Sequence, residues 1–239
     1  MFDLKLFDTW FNIGPLTVVV VLSLIVAIRQ AIKLRKSVRN KRDDVSWRMS
    51  IAILSLLVLS LTVLFEVRLQ LANATMTSMS QQISGNPSVW ARCERRAGDS
   101  LNAQLTSSAH GLAYFDKGFA ILDSRRCHQF MDWYSSDKTD ATDDQVWAVG
   151  VLTHESVHLE GEHNEAITEC KTMERYARVA SEVMGAPHDE AVRMSKVYER
   201  LHLNTPREYQ MDCDAYWAEQ NSTDSEDEDA NKNEENLDQ

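Results

Sequence analysis

Two uncharged stretches, residues 9–28 (TWFNIGPLTVVVVLSLIVAI) and 49–65 (MSIAILSLLVLSLTVLF), constrain this chain more than any other feature. Each approaches the roughly 20 apolar residues that a helix needs to cross the ~30 Å hydrocarbon layer of a bilayer. A cleaved secretory signal starts with a basic region and ends at small residues. The first run instead follows MFDLKLFD and is itself followed by basic residues, so it reads as a retained helix. Between the runs, KLRKSVRNKRDDVSWR carries seven Lys or Arg against two Asp, and short basic loops stay on the cytoplasmic side. The expectation is a two-pass protein of the cell membrane. It has an extracytoplasmic N-terminus (1–8), a membrane helix (9–32), a basic cytoplasmic loop (33–48), a second membrane helix (49–70) and everything later outside.

Residues 71–88 read as a juxtamembrane helix or stalk ending at the turn signal Gly85-Asn86-Pro87, and 89–220 as a domain large enough to hold its own core. Residues 221–239 read as a disordered acidic tail: from Ser222 onward, eight Asp or Glu and one Lys supply −7 of the formal charge of −11. Such a segment cannot bury enough apolar surface to fold. Nothing basic remains outside the membrane to suggest nucleic-acid binding. Cys93, Cys127, Cys170 and Cys213 all fall on the outer side, where disulfides form; four cysteines allow three pairings, and spacing does not choose among them. Asn73-Ala-Thr75 and Asn221-Ser-Thr223 fit the glycosylation sequon, which matters only in a host with that machinery.

Within the domain, GLAYF (111–115) and FAIL (119–122) flank Asp116-Lys117-Gly118, the pattern of a β-hairpin whose edge an extended peptide could join. Helices are expected after Asp123 or Ser124, from Asp143-Asp144 through QVWAVGVLTHESVHLE, from Asn164 to Gly185, and over about 188–203. The fold class is therefore mainly α with a small β-hairpin or sheet, preceded by two transmembrane helices.

The second of these helices contains His154-Glu155-Ser156-Val157-His158, an HExxH motif. Imidazoles at i and i+4 project from one face and can share a metal ion, while Glu155 is placed to take a proton from a water. Catalytic zinc ordinarily takes three protein ligands. On an unbroken helix Glu165 would lie roughly 10 Å beyond His158, but Gly161 can end the helix and turn the chain. A new helix from Asn164 then carries Glu165 back as the expected third ligand, with Glu169 and His163 as alternatives. Glu169, one turn beyond Glu165, is placed to hydrogen-bond a ligating histidine.

HESVH followed by Asn164-Glu165-Ala166-Ile167-Thr168-Glu169 resembles the gluzincin arrangement of zinc metallopeptidases, with a shorter separation than in thermolysin-like enzymes. The longer pattern HESVHLEGxxNEAxTEC, with Cys127 before it and Met184-Gly185 and Tyr209…Cys213 after it, resembles small bacterial extracytoplasmic proteins with a predicted metallopeptidase core. The resemblance covers roughly residues 90–215. It implies a zincin-like α+β domain, one zinc per chain on His154, His158 and Glu165, Glu155 as general base, and a peptide or protein substrate. Tyr209, or else His202, is the donor expected to stabilise the oxyanion. Readings from other classes are a catalytically silent zinc-binding or interaction domain and a metal-dependent hydrolase of a cell-envelope amide.

Overall fold

The computed structural model describes residues 15–39, 45–94, 110–205 and 207–218. Its elements, in chain order, are α1 (Pro15–Arg39), α2 (Val45–Ser84), β1 (Trp90–Cys93), β2 (Gly111–Tyr114), β3 (Phe119–Leu122), α3 (Ser124–Tyr134), α4 (Asp143–His158), α5 (Glu165–Arg178) and α6 (His188–His202). A π-helical turn, Val179–Val183, prolongs α5, a 3-10 turn spans Arg207–Tyr209, and 213–218 is helical. The fold is mainly helical with a small sheet, as the sequence predicts. The acidic tail and residues 1–14 and 40–44 lie outside the described residues.

α1 packs against α2, and both expose their aliphatic side chains: Leu22, Ile28, Leu54, Leu57, Leu61 and Phe65 are all more than half exposed. Among the described residues, one helix is long and apolar enough to cross a membrane, Met49–Ser84. The first apolar run, the other expected crossing, forms α1 from Pro15 onward without meeting that measure, and its residues 9–14 are outside the description.

The stretch 71–88 is the expected helix rather than a stalk: α2 continues through it to Ser84, and Ala72, Met76, Met79 and Ser80 are buried in the domain. The reason is a stripe of small and apolar residues at helical spacing, Ala72, Met76, Met79 and the half-buried Ile83, facing the sheet. Two polar residues on the same side complete the ladder of β1. Asn73 Oδ1 accepts from the Cys93 N–H at 2.8 Å; Thr77 Oγ1 donates to the Ala91 carbonyl at 2.9 Å and accepts from its N–H at 3.1 Å. Asn73, the asparagine of the first sequon, is therefore buried in the fold rather than presented at the surface.

The sheet has the order β1-β3-β2, with β1 parallel and β2 antiparallel to β3. The hairpin follows the sequence prediction, with Gly118 at φ 66° closing the turn, a conformation that costs glycine little. The strand β1 was not legible as one. α2 covers the outer side of β1; on the other side of the sheet, β2 pairs only with β3 among the described residues.

α4 runs through the centre of the domain, and every residue from Ala148 to His158 is buried. Thr142 caps it in a reciprocal capping box with Gln145, and Asp143 and Asp144 in its first turn suit the positive end of the helix. Gly150 lets α6 approach: a Cβ there would lie 2.7 Å from Cζ of Tyr198. Disulfides join Cys93 to Cys127 and Cys170 to Cys213. The first lies against Met76 of α2; the second ties the chain after α6 to the middle of α5.

Candidate metal centre

α4 ends at His158, the chain turns through Gly161 at φ 109°, and Asn164 starts α5 by accepting from the Ala166 and Ile167 N–H groups. The turn has the effect expected of it, because Glu165 now faces the two histidines. Glu165 Oε2 lies 3.0 Å from His154 Nε2 and 3.2 Å from His158 Nε2, and the two Nε2 atoms are 3.1 Å apart. Tetrahedral zinc with N and O ligands at about 2.0–2.1 Å separates those ligands by about 3.3 Å. The observed triangle is that arrangement, slightly contracted, so these donors fit a zinc ion in size and chemistry. The three residues are the group among the described residues able to hold a metal.

The far sides of both imidazoles are fixed. His158 Nδ1 lies 2.7 Å from the Glu162 carbonyl, an acceptor only, so Nδ1 carries the proton and Nε2 presents its lone pair. His154 Nδ1 lies 2.9 Å from Glu169 Oε2, which sets the same tautomer. Three electron-rich atoms thus converge with their neighbouring donors already engaged, an arrangement able to hold a cation between them. With no metal there, a proton on His154 takes the cation's place. Burial opposes charge on His154, but hydrogen bonds with Glu165 and Glu169 outweigh it and push its pKa up to about 10. Burial likewise opposes the charge of Glu165 and Glu169, yet their histidine partners hold both carboxyls down at about 2.

Glu169 is therefore a support for His154 rather than part of the converging triangle. Its side chain is 4% exposed, and Oε1 lies 3.0 Å from His202 Nδ1. That places His202, the alternative oxyanion donor, behind Glu169, where it holds the carboxylate in place. Tyr209 lies beside the cluster, its ring centroid 5.9 Å from that of His154. His163 is not part of the triangle; its ring lies against Phe115 with centroids 4.5 Å apart. Phe115 also meets His158 edge-on at 5.3 Å.

Glu155 is buried between α4 and the start of β2. A Cβ on Gly111 would fall 2.7 Å from its Cγ and 2.8 Å from its Cδ, so only glycine leaves room for the carboxyl. Burial raises the Glu155 pKa, and the neighbouring His154 and His158 counteract this in part. A carboxylate whose proton affinity is raised beside a group of converging ligands suits a proton carrier. The site opens to solvent on the side of Glu165, whose side chain is 41% exposed, whereas those of His154 and His158 are 9% and 3% exposed.

Sequence reasoning missed Gly111, the role of His202 and the tie between Ser156 and α2, where the Ser156 and Ser80 hydroxyls meet at 2.9 Å. All three depend on contacts between residues remote in sequence. Comparison with protein-family models, with curated proteins and with solved structures finds no match for this chain.

Proposed function

We propose that this protein is a membrane-anchored zinc metallopeptidase with two membrane passes, its N-terminus and catalytic domain facing outward. The observation that carries the reading is the convergence of His154 Nε2, His158 Nε2 and Glu165 Oε2 beside a buried Glu155. The histidines and Glu165 would hold one zinc, and zinc in such a setting lowers the pKa of water and polarises a carbonyl. Glu169 orients His154, and His202 orients Glu169. Glu155 accepts the proton of the attacking water on its carboxylate and delivers it to the leaving amine. Tyr209, beside His154, supplies the hydroxyl that stabilises the carbonyl oxygen as it gains negative charge. The outer edge of β2, unpaired among the described residues, runs past Glu155 and would offer main-chain groups to an extended substrate.

The test uses the full chain in detergent, with zinc measured by elemental mass spectrometry and cleavage by mass spectrometry of a mixed peptide pool. Wild type should carry one zinc and cleave; Glu155→Gln should keep the zinc and lose cleavage. Folded wild type without zinc, or a Gln variant that cleaves equally well, would overturn the reading. A zinc-loaded protein that cleaves no peptide would favour the silent or non-peptide alternatives.

A further inference from the structure

A soluble domain tethered by a flexible stalk samples many heights above a membrane. Here no such stalk exists. α2 is helical without interruption from Val45 to Ser84 and contains neither Gly nor Pro, the usual sites of sharp bends. Its exposed apolar surface ends at Leu71, and the next residue, Ala72, is already buried in the domain. The helix that would cross the bilayer and the helix that packs in the domain core are one rod.

Four attachments hold the domain to that rod. Asn73 and Thr77 pair with the backbone of β1. Met76 lies against the Cys93–Cys127 disulfide. The Ser80 hydroxyl meets Ser156, the central residue of the segment that carries both histidines. β1 belongs to the same three-stranded sheet as β2, whose start lies against Glu155. The rod is therefore joined both to the metal-bearing helix and to the strand beside the proton carrier, so neither can change height without breaking buried contacts.

The height follows from helix geometry. The uncharged run ends before Glu66, and the exposed apolar side chains end at Leu71. From these limits, a rise of about 1.5 Å per residue puts Ser80 about 14–21 Å beyond the bilayer's apolar edge. An extended polypeptide leaving the same bilayer at ~3.3 Å per residue covers that distance in about four to six residues. The two histidine ligands lie within two residues of Ser156 on α4, and an offset of up to about 9 Å from Ser80 in either direction widens this to about two to nine residues.

We infer that the substrates are polypeptides anchored in the same bilayer, cut on their extracytoplasmic side at a fixed height of about two to nine residues beyond their own membrane segment. This rests on the proposed peptidase activity and on α2 crossing the membrane. Co-anchoring supplies a high effective concentration of such chains at the site, whereas the compact body of a folded soluble protein offers no extended strand at that height.

The test places the full chain in lipid vesicles with single-span reporters carrying a mixed-sequence, unstructured extracytoplasmic linker, and sizes the membrane-retained stubs by mass spectrometry. Stubs should end about two to nine residues past the span. Sliding the same linker sequence outward by five residues should leave the stub length unchanged while changing the bond that is cut. Inserting seven helix-forming residues after Arg68 restores the domain nearly to its original face. It raises the domain by about 10 Å, and the stubs should lengthen by about three residues. Glu155→Gln serves as the control for cleavage by a contaminant. Cuts that follow linker sequence rather than height, or equal cleavage of the same linker on a soluble reporter, would overturn the inference and leave the peptidase reading intact. A zinc-loaded protein that cuts neither reporter would overturn both.

Discussion

Gly111→Ala separates the folding of this domain from its chemistry. Gly111 is absent from the residues with positive φ, so alanine suits the backbone of β2 and brings no conformational strain. What it meets is Glu155, with contacts of 2.7 Å to Cγ and 2.8 Å to Cδ where carbon atoms normally rest at about 3.5–4.0 Å. Either the strand or the glutamate must retreat by about 1 Å. β2 is held by its pairing with β3 through residues 111–114, while Glu155 ends in a flexible side chain, so the glutamate yields. Overpacking of this kind costs about 1–3 kcal/mol of stability. A displacement near 1 Å of a group that must reach a proton costs about 100-fold in rate. The histidine and Glu165 contacts are untouched. The expected result for the full chain is one zinc retained, a melting temperature lowered by about 2–12 °C, and peptide turnover reduced about 100-fold. Turnover within threefold of wild type would show that Glu155 does not work from this position. Loss of zinc would show that the clash is relieved through the ligands, and would refute the reasoning equally.

Glu165→Ala should abolish zinc retention, whereas Glu169→Gln, which alters only the support of His154, should weaken it about 10- to 100-fold in chelator competition. In chelator-treated protein Glu169 sits at about 2 against an ordinary 4.5. A folded value below the unfolded one means stabilisation that is complete above about pH 4.5 and lost as the pH falls toward 2. Urea midpoints across that window should fall less steeply for Glu169→Gln than for wild type. Thr142→Ala removes one half of the α4 capping box and should cost about 1 kcal/mol in urea denaturation with zinc content unchanged.

The parts of the site that were legible in the sequence are those set by neighbours along the chain. HExxH needs only helical spacing; the break at Gly161 and the cap at Asn164 are local backbone chemistry, and together they were enough to bring Glu165 onto His154 and His158. The hairpin and the α3 cap at Asp123 were local in the same sense. β1 was not legible because four residues, WARC, carry no alternation strong enough to mark a strand; its partners are β3 and the Asn73 and Thr77 side chains. His202 could not be assigned to Glu169 without knowing that α6 packs beside α5. The lower half of α2 is a different case. Its stripe at Ala72, Met76 and Met79 was present in the sequence, but the adjacent membrane run suggested a connector where the chain builds core.

The disulfide between Cys170 and Cys213 has a consequence for where the protein can act. It fastens the segment carrying Tyr209 to α5 one residue past Glu169, and closes a loop of 43 residues whose constraint is worth about 4 kcal/mol in chain entropy. In a reducing compartment that fastening is missing, which leaves the histidines in place but the C-terminal arm untied. On the proposed outward-facing topology and peptidase reading, completion of the site would be coupled to arrival at the oxidising face of the membrane, and the compartment itself would serve as the safeguard that many hydrolases obtain from a removable propeptide.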